Sequence, residues 1–391
     1  TGGTASGTVD GFVLRLSANL ATVLGGRYLA GNKVDNPLGI ACTDDGSAVI
    51  CGQTTSTSGL SIPTGYDVTH NGEMDAFAMR VDKTCRDVEF FTYFGTSGND
   101  AFTSVAIGRG SGMVFAGWTS SNSMETFPKK TRVWVPDPND YYYGGHWEET
   151  GSNAFDVDFN GGLSDAMLVR FDAIGTLVYS TFIGGNAEER PVRVLVDAED
   201  RPVIVGTTRS NNLPVPEGST SANAGGSDVF MLRLSADGLR LSTCAYFGGG
   251  EDESAGDAVL DASGNVAVTG STTSSDISSL GIGTTPNLQG GVDGFLATLS
   301  QNGTLFATLF GWSGDDVPLA MARDKRGDLY IGGRTTSAIN GDTLGGAHDA
   351  FVAKWAYGTL TYKGPSSATQ ACTGSAVSIT WSTEGLPQTT T

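Results

Sequence analysis

Apolar and polar positions alternate along most of the chain in short runs, separated by Gly, Asp, Asn and Ser. In Asp10-Gly11-Phe12-Val13-Leu14-Arg15-Leu16, for example, Phe12, Leu14 and Leu16 share one face, because side chains in a strand point alternately to either side. No sustained apolar stripe of helical period with caps is present. The pattern predicts an all-β protein of short strands.

The runs recur as a unit. A motif of Gly-x-x-Asp, then a small residue or Val, then Phe or Met, leads into a strand at Asp10, Asp75, Asp165, Asp228, Asp293 and Asp349. Successive aspartates stand 65, 90, 63, 65 and 56 residues apart, which gives a repeat with one insertion. A basic residue follows five places later as Arg15, Arg80, Arg170, Arg233 and Lys354, and Thr298 breaks the series. A second strand ends in glycine, as in Tyr179-Ser180-Thr181-Phe182-Ile183-Gly184-Gly185. Acidic residues come next: Asp35, Asp100, Glu188 and Glu189, Asp252, Asp315 and Asp316. A hairpin follows, clearest from Ala258 to Gly270, and its second strand closes with Gly-x-Thr from Gly52, Gly117, Gly206, Gly270 and Gly333.

Name the hairpin strands A and B, the Asp-x-Phe strand C and the glycine-ended strand D. Four short antiparallel strands per repeat are the signature of propeller blades, whose radial packing hides sheet edges. The chain opens with C and D of a first unit and continues with five A-B-C-D sets. The expected fold is an all-β β-propeller over residues 1–363, with six blades, or seven as the alternative. Residues 364–391 hold two strand-like pieces, around Ala371-Cys372 and from Val377 to Trp381. They either supply the missing A and B of the first blade, or start an immunoglobulin-like module or linker after Gly364-Pro365. A feature used six times reads as scaffold, so Asp10, Asp75, Asp165, Asp228, Asp293 and Asp349 are structural candidates.

The strings Asp349-Ala350-Phe351-Val352-Ala353-Lys354, Tyr179 to Gly185 and Asp261-Ala262-Ser263-Gly264-Asn265-Val266 resemble SBBP repeats. The resemblance covers roughly residues 7–363 and rests on three linked motifs in a fixed order. It implies a propeller of large secreted and cell-surface bacterial proteins, with no single activity. The family name implies seven blades, from which this chain's count departs.

The insertion, residues 120–161, is the part that differs between repeats. Loops on a rigid scaffold commonly carry function. It holds Trp134, Tyr141, Tyr142, Tyr143 and Trp147, flat rings suited to stacking sugars or anchoring a protein partner, or to packing a small core of their own. Asp156-Val157-Asp158-Phe159-Asn160-Gly161 has the oxygen-ligand spacing of a calcium loop, with Met167 where the last ligand would stand. Asp67-x-Thr69-x-Asn71-Gly72 echoes it. The alternative for both is turn chemistry, with Asp side chains bonding backbone N–H groups.

Of five cysteines, none forms a CxxC pair. Cys42 and Cys51 flank the turn signal Asp44-Asp45-Gly46. A hairpin there is expected to put both on one face, displaced diagonally by two residues, where they form a disulfide in an oxidising compartment or stay as two buried thiols.

With 23 basic and 42 acidic residues the net charge is −19, which argues against nucleic acid or an anionic membrane surface as partner. The D-to-A acids are expected to pair with neighbouring groups, the recurring Arg among them, or to line an acidic rim. No apolar run reaches the ~20 residues that span a bilayer. The chain opens at Thr1 rather than Met, as a processed or partial chain would, and Gly385 to Thr391 reads as a linker. His70, His146 and His348 show no catalytic or metal-ligating spacing. The expected function is a non-enzymatic extracellular module of a cell-surface protein or assembly, structural or adhesive, with protein partners or self-association. The alternative is a carbohydrate-binding or carbohydrate-processing propeller that uses the insertion.

Overall fold

The computed structural model describes residues 5–60, 65–129, 131–136, 145–151, 153–216, 222–277, 287–300, 303–338, 346–356, 359–364 and 377–382. Among them the chain is all-β and its principal sheets have four antiparallel strands. A two-stranded sheet of β1 (Gly11–Leu16) and β2 (Val23–Leu29) comes first. The next sheet is β3 (Asp35–Cys42), β4 (Ala48–Thr54), β5 (Asp75–Val81) and β6 (Val88–Phe94), in that order. Then come β7 (Asp100–Ile107) and β8 (Met113–Thr119), the insertion hairpin β9 (Thr131–Pro136) and β10 (Gly145–Thr150), and β11 (Asp165–Phe171) with β12 (Leu177–Ile183). Strands β7, β8, β11 and β12 form one sheet, and β9 and β10 pair apart from it.

The pattern continues with β13 (Glu189–Val196), β14 (Pro202–Thr208), β15 (Asp228–Leu234) and β16 (Leu241–Phe247). It repeats in β17 (Glu253–Leu260), β18 (Val266–Thr272), β19 (Asp293–Ser300) and β20 (Gly303–Phe310). The last sheet has five strands: β21 (Asp316–Arg323), β22 (Leu329–Thr335), β23 (Asp349–Ala356), β24 (Thr359–Gly364) and β25 (Val377–Ser382). Of the C-terminal segment, β25 therefore lies antiparallel to β24, with Gly364 opposite Val377, and β1–β2 remains a two-stranded sheet. Ala371 and Cys372 lie outside the described residues. Two compact units arise, one of Thr1–Pro202 with Leu234–Leu241, the other of Val203–Arg233 with Ser242–Thr391.

The repeated motifs each have a packing reason. The Phe of Asp-x-Phe is fully buried at Phe77, Phe230, Phe295 and Phe351. Its ring needs the glycine of Gly-x-Thr on strand B: a Cβ on Gly333 would stand 2.6 Å from the Phe351 ring and 2.3 Å from the Val317 carbonyl oxygen. That carbonyl is close because strand A carries a β-bulge just after its acidic residue, between Pro37 and Gly39, Phe102 and Ser104, Ala255 and Asp257, and Pro318 and Ala320. The extra residue bends the strand over its neighbour. The first glycine of Gly-x-x-Asp is equally close to the following D-to-A loop: on Gly72 a Cβ would stand 2.2 Å from the Thr96 oxygen.

The recurring cations tie each C strand to hairpin turns. Arg80 bonds Asp45 at 2.8 Å and the Ala173 carbonyl at 3.0 Å. Arg170 pairs with Asp200 at 2.5 Å, Arg233 donates to the Gly264 carbonyl at 2.5 Å, and Lys354 meets Asp328 at 2.6 Å. The expectation that these cations neutralise the D-to-A acids is corrected. They sit five residues along the strand from the Asp end, so they reach the opposite rim of the sheet.

The expected Cys42–Cys51 bridge is also corrected. Thr43 to Ser47 form the whole turn, so Cys42 faces Ala48 and, three pairs further along, Cys51 faces Gly39. Both thiols are free, Cys42 exposed and Cys51 buried, and burial pushes the Cys51 thiol far up.

Candidate functional site

Two features stand apart from the repeat: a cavity at the root of the insertion and the apolar face of β1–β2. Tyr66, just before Asp67 in the loop from β4 to β5, lies against Phe94 and edge-on to Phe171. Its hydroxyl donates to Glu125 Oε2 at 2.6 Å. Together with Asn71, Tyr93, Thr96 and Met124 these groups line a cavity of about 160 Å³. Burial, then the Glu125 carboxylate, raises the Tyr66 hydroxyl well above the ordinary tyrosine range. The site offers an aromatic face beside a carboxylate, a combination that suits a polar ligand with one apolar surface.

The insertion is fastened on this side. Phe127 and Ser180 exchange backbone bonds of 2.9 Å, and Ser180 Oγ donates to the Glu125 carbonyl at 2.6 Å. The returning chain runs along the same strand, where the Phe182 N–H donates to the Asp156 carbonyl at 3.1 Å. The edge of β12 is thus covered, which blunts edge-to-edge pairing. Within the insertion hairpin the backbone register sets Trp134 opposite Trp147. Tyr141, Tyr142 and Tyr143 lie outside the described residues. Sequence reading missed Tyr66 and Glu125, since neither belongs to a recurring motif.

The calcium-like loop uses its oxygens on itself. Asp156 accepts the Asp158 N–H at 3.1 Å on Oδ1 and the Asn160 side-chain amide at 2.6 Å on Oδ2. The loop at Asp67 repeats the arrangement: Asp67 accepts Thr69 N–H at 2.9 Å and the Asn71 amide at 2.8 Å. Each aspartate also bonds a D-strand threonine through its backbone N–H, Asp67 to Thr92 and Asp156 to Thr181. Two loops of the same build, both preceding a C strand, favour the turn chemistry. Among the described residues no group of three or more His, Cys, Asp or Glu is placed to hold a metal ion.

Five of the six repeated aspartates are seen to cap the loop before strand C. Asp75 accepts the N–H groups of Asn71 and Gly72 at 2.8 and 3.1 Å; Asp165 accepts Asn160 at 2.6 Å, Asp228 accepts Ala224 at 2.8 Å and Asp293 accepts Gln289 at 2.6 Å. Asp10 accepts Ser6 at 2.9 Å, and Asp349 begins β23 opposite Thr335. The A-strand acids are as uniform. Asp35, Asp100, Glu189, Glu253 and Asp316 are all buried, each accepting a backbone N–H from four residues earlier. In the fourth repeat the buried acid is therefore Glu253, and the expected Asp252 stands exposed beside it. The threonine of Gly-x-Thr supplies the second bond: Thr54 donates to Asp35 and Thr272 to Glu253, both at 2.5 Å, and Thr119 donates to Asp100. Buried in this way, the acids line no open rim. Burial, then the neighbouring Glu189, raises the Asp165 carboxyl to about 7.

On β1–β2 the alternating face is bare. Phe12 is 62% exposed, Leu14 46% and Leu16 42%, whereas their counterparts Phe77, Met79 and Val81 are buried. Among the described residues β1 has β2 as its sole hydrogen-bonded neighbour.

No family model matches the chain, and no curated protein matches it. Among solved structures, a protein of unknown function from Dyadobacter fermentans DSM 18053 is 9% identical, with a TM-score of 0.39 over 89% of this chain and 82% of that one. The extracellular domain assigned to a one component system of B. thetaiotaomicron is 10% identical, with a TM-score of 0.21 over 90% of this chain and 48% of that one. Likeness at this level establishes neither fold nor activity. No helix among the described residues is long and apolar enough to cross a membrane.

Proposed function

We propose that the chain is an extracellular, non-enzymatic β-propeller of SBBP-like repeats that serves as a structural or adhesive module of a cell-surface protein or assembly. Support for the propeller is the fivefold A-B-C-D order, with the same buried acid in each sheet, the same bulge in four of them and a cation in all but the sheet of Thr298. Counting the C–D pair β1–β2 gives six blades, the first without A and B strands. The bare face of Phe12, Leu14 and Leu16 carries the functional reading. Its counterparts Phe77, Met79 and Val81 share a buried cluster with Val13 and Leu29 of an adjacent sheet, so the face of a further sheet is the occupant that fits. The occupant proposed is a neighbouring polypeptide, a second copy included.

The test is sedimentation and electron microscopy of the full chain over a range of concentrations. Association or ordered polymers, lost in Phe12→Ser/Leu14→Ser while the melting temperature stays as in the parent, support the reading. A parent that stays monomeric throughout, with the double variant indistinguishable, overturns it.

A second reading rests on the cavity of Tyr66 and Glu125 beneath the aromatic insertion: a glycan-binding propeller. Binding to a glycan array that is lost on Glu125→Gln and on Trp147→Ala would carry that reading instead.

A further inference from the structure

Consecutive repeats are joined by one recurring backbone bond. The N–H of each A-strand acid donates to the carbonyl just ahead of the preceding C-strand aspartate: Asp35 to Val9 at 2.8 Å, Asp100 to Met74 at 2.7 Å, Glu189 to Ser164 at 3.0 Å, Glu253 to Ser227 at 2.6 Å and Asp316 to Val292 at 2.7 Å. At four of the five joints two carboxyl groups bear on each other: Asp75 on Asp100, Glu189 on Asp165, Glu253 on Asp228 and Asp316 on Asp293. Among them are Asp228 with Glu253 and Asp293 with Asp316, all four residues essentially without solvent exposure, as are Asp75, Asp100, Asp165 and Glu189 at two other joints.

The D-strand glycine between them marks how close the acids come. A Cβ on Gly248 would stand 2.3 Å from Asp228 Oδ1 and 2.5 Å from Glu253 Oε2. On Gly311 it would stand 2.5 Å from Asp293 Oδ1 and 3.1 Å from Asp316 Oδ2. Both carboxyls thus reach into the one space that the missing side chain leaves.

Their hydrogen bonds do not close. Asp228 Oδ1, Asp293 Oδ1 and Asp316 Oδ1 are buried and find no donor among the described residues. No cation is among the groups that bear most on these aspartates. Asp228 feels Glu253 and Asp276, Asp293 feels Asp316 and Asp315, and Asp316 feels Asp315, with backbone N–H groups and the hydroxyls of Thr335 and Ser337 supplying the donors. The joint at Asp75 differs, because His70 faces it.

Two ionised carboxylates at such a distance, out of water and with an orphaned oxygen, are strongly unfavourable. A single proton removes both defects: it cancels one charge and turns one acid into an O–H donor to the other. We propose that the joints Asp228/Glu253 and Asp293/Asp316 are proton-binding sites, each pair holding one shared proton that seals successive repeats together. Burial in the first place, with Glu253 adding to it, pushes Asp228 up to about 6; burial also raises Asp293, with Asp316 adding to it, and Asp316, with Asp315 adding to it.

The folded chain then holds protons that the unfolded chain releases above its ordinary aspartate value of 3.8. The stabilisation is complete below that pH and is lost as pH rises through the folded value, about 6 for the Asp228 joint. Within that window each joint lowers the folding constant by about tenfold per pH unit.

The experiment is thermal melting of the full chain between about pH 4 and about pH 8, with and without EDTA. The parent is expected to melt at lower temperature as pH rises. Asp228→Asn, which keeps a donor to Glu253 and carries no charge, is expected to flatten that fall and to melt above the parent at the alkaline end. A fall in the variant parallel to the parent's overturns the proposal, and so does a parent whose alkaline melting temperature drops on adding EDTA while that of Asp228→Asn does not, which would make the bound species a metal cation. Should the variant not fold, the infrared spectrum of the parent near pH 5 decides: the carbonyl stretch of a protonated, solvent-shielded carboxyl supports the shared proton, and its absence overturns it.

Discussion

The threonine of Gly-x-Thr and the acid of strand A are 19 residues apart in sequence and 2.5 Å apart at Thr272 and Glu253. That bond explains why the motif ends in a hydroxyl. Thr272→Val keeps the shape and removes the donor, leaving Glu253 Oε1 without it in a buried site. It is expected to cost about 1–3 kcal/mol in chemical denaturation. The glycine two places before is set by space: on Gly117 a Cβ would stand 1.9 Å from the Ala101 oxygen. Gly117→Ala is therefore expected to cost about 1–3 kcal/mol, as overpacking does. The motif was legible as a recurrence. Its partner was not, because a bulge and a hairpin turn decide which residue stands opposite. The cysteines teach the same lesson: Cys42 and Cys51 flank a turn signal, but Thr43 to Ser47 take up the whole turn, which sets Cys42 opposite Ala48 and Cys51 opposite Gly39.

At the scale of elements, the basic residue of strand C acts as a clamp between hairpin turns. Arg170 and Asp200 are both largely buried, with side chains 10% and 13% exposed, and Asp200 also accepts the Arg109 N–H at 2.8 Å. Arg170→Ala would leave that carboxylate without its counter-charge. The expected loss is about 3 kcal/mol, measured by denaturant unfolding, since removing one partner of a buried pair costs more than the pair is worth. The two Asp–Asn loops predict a null result of a definite kind. Because Asp156 bonds Asp158 and Asn160, melting with EDTA is expected to match melting without it, and a drop that Asp156→Asn abolishes would reinstate calcium at that loop. Strand identity and order were legible from alternation and from the repeated Asp-x-Phe and Gly-x-Thr signals. The cavity under the insertion was not, because Tyr66 and Glu125 come from different repeats and meet through the packing of Phe94 and Phe171.

For the whole molecule, the net charge of −19 means that the folded chain repels itself. Screening should relieve this, so the melting temperature is expected to rise when sodium chloride is added from near zero to about 0.15 M. A flat or falling response would place the acids in compensated pairs at the surface as well. By itself the sequence determined the strands, their order within each repeat and the insertion, because side-chain alternation, turn residues and recurrence are local properties of the chain. The tertiary structure alone decided what the recurring acids do. Whether a carboxyl meets an arginine, a threonine or another carboxyl depends on strand register and on how one repeat is hydrogen-bonded to the next. Those pairings joined Arg170 to Asp200 at one end of a sheet and set Asp228 beside Glu253 at a joint, and no spacing along the chain encodes them.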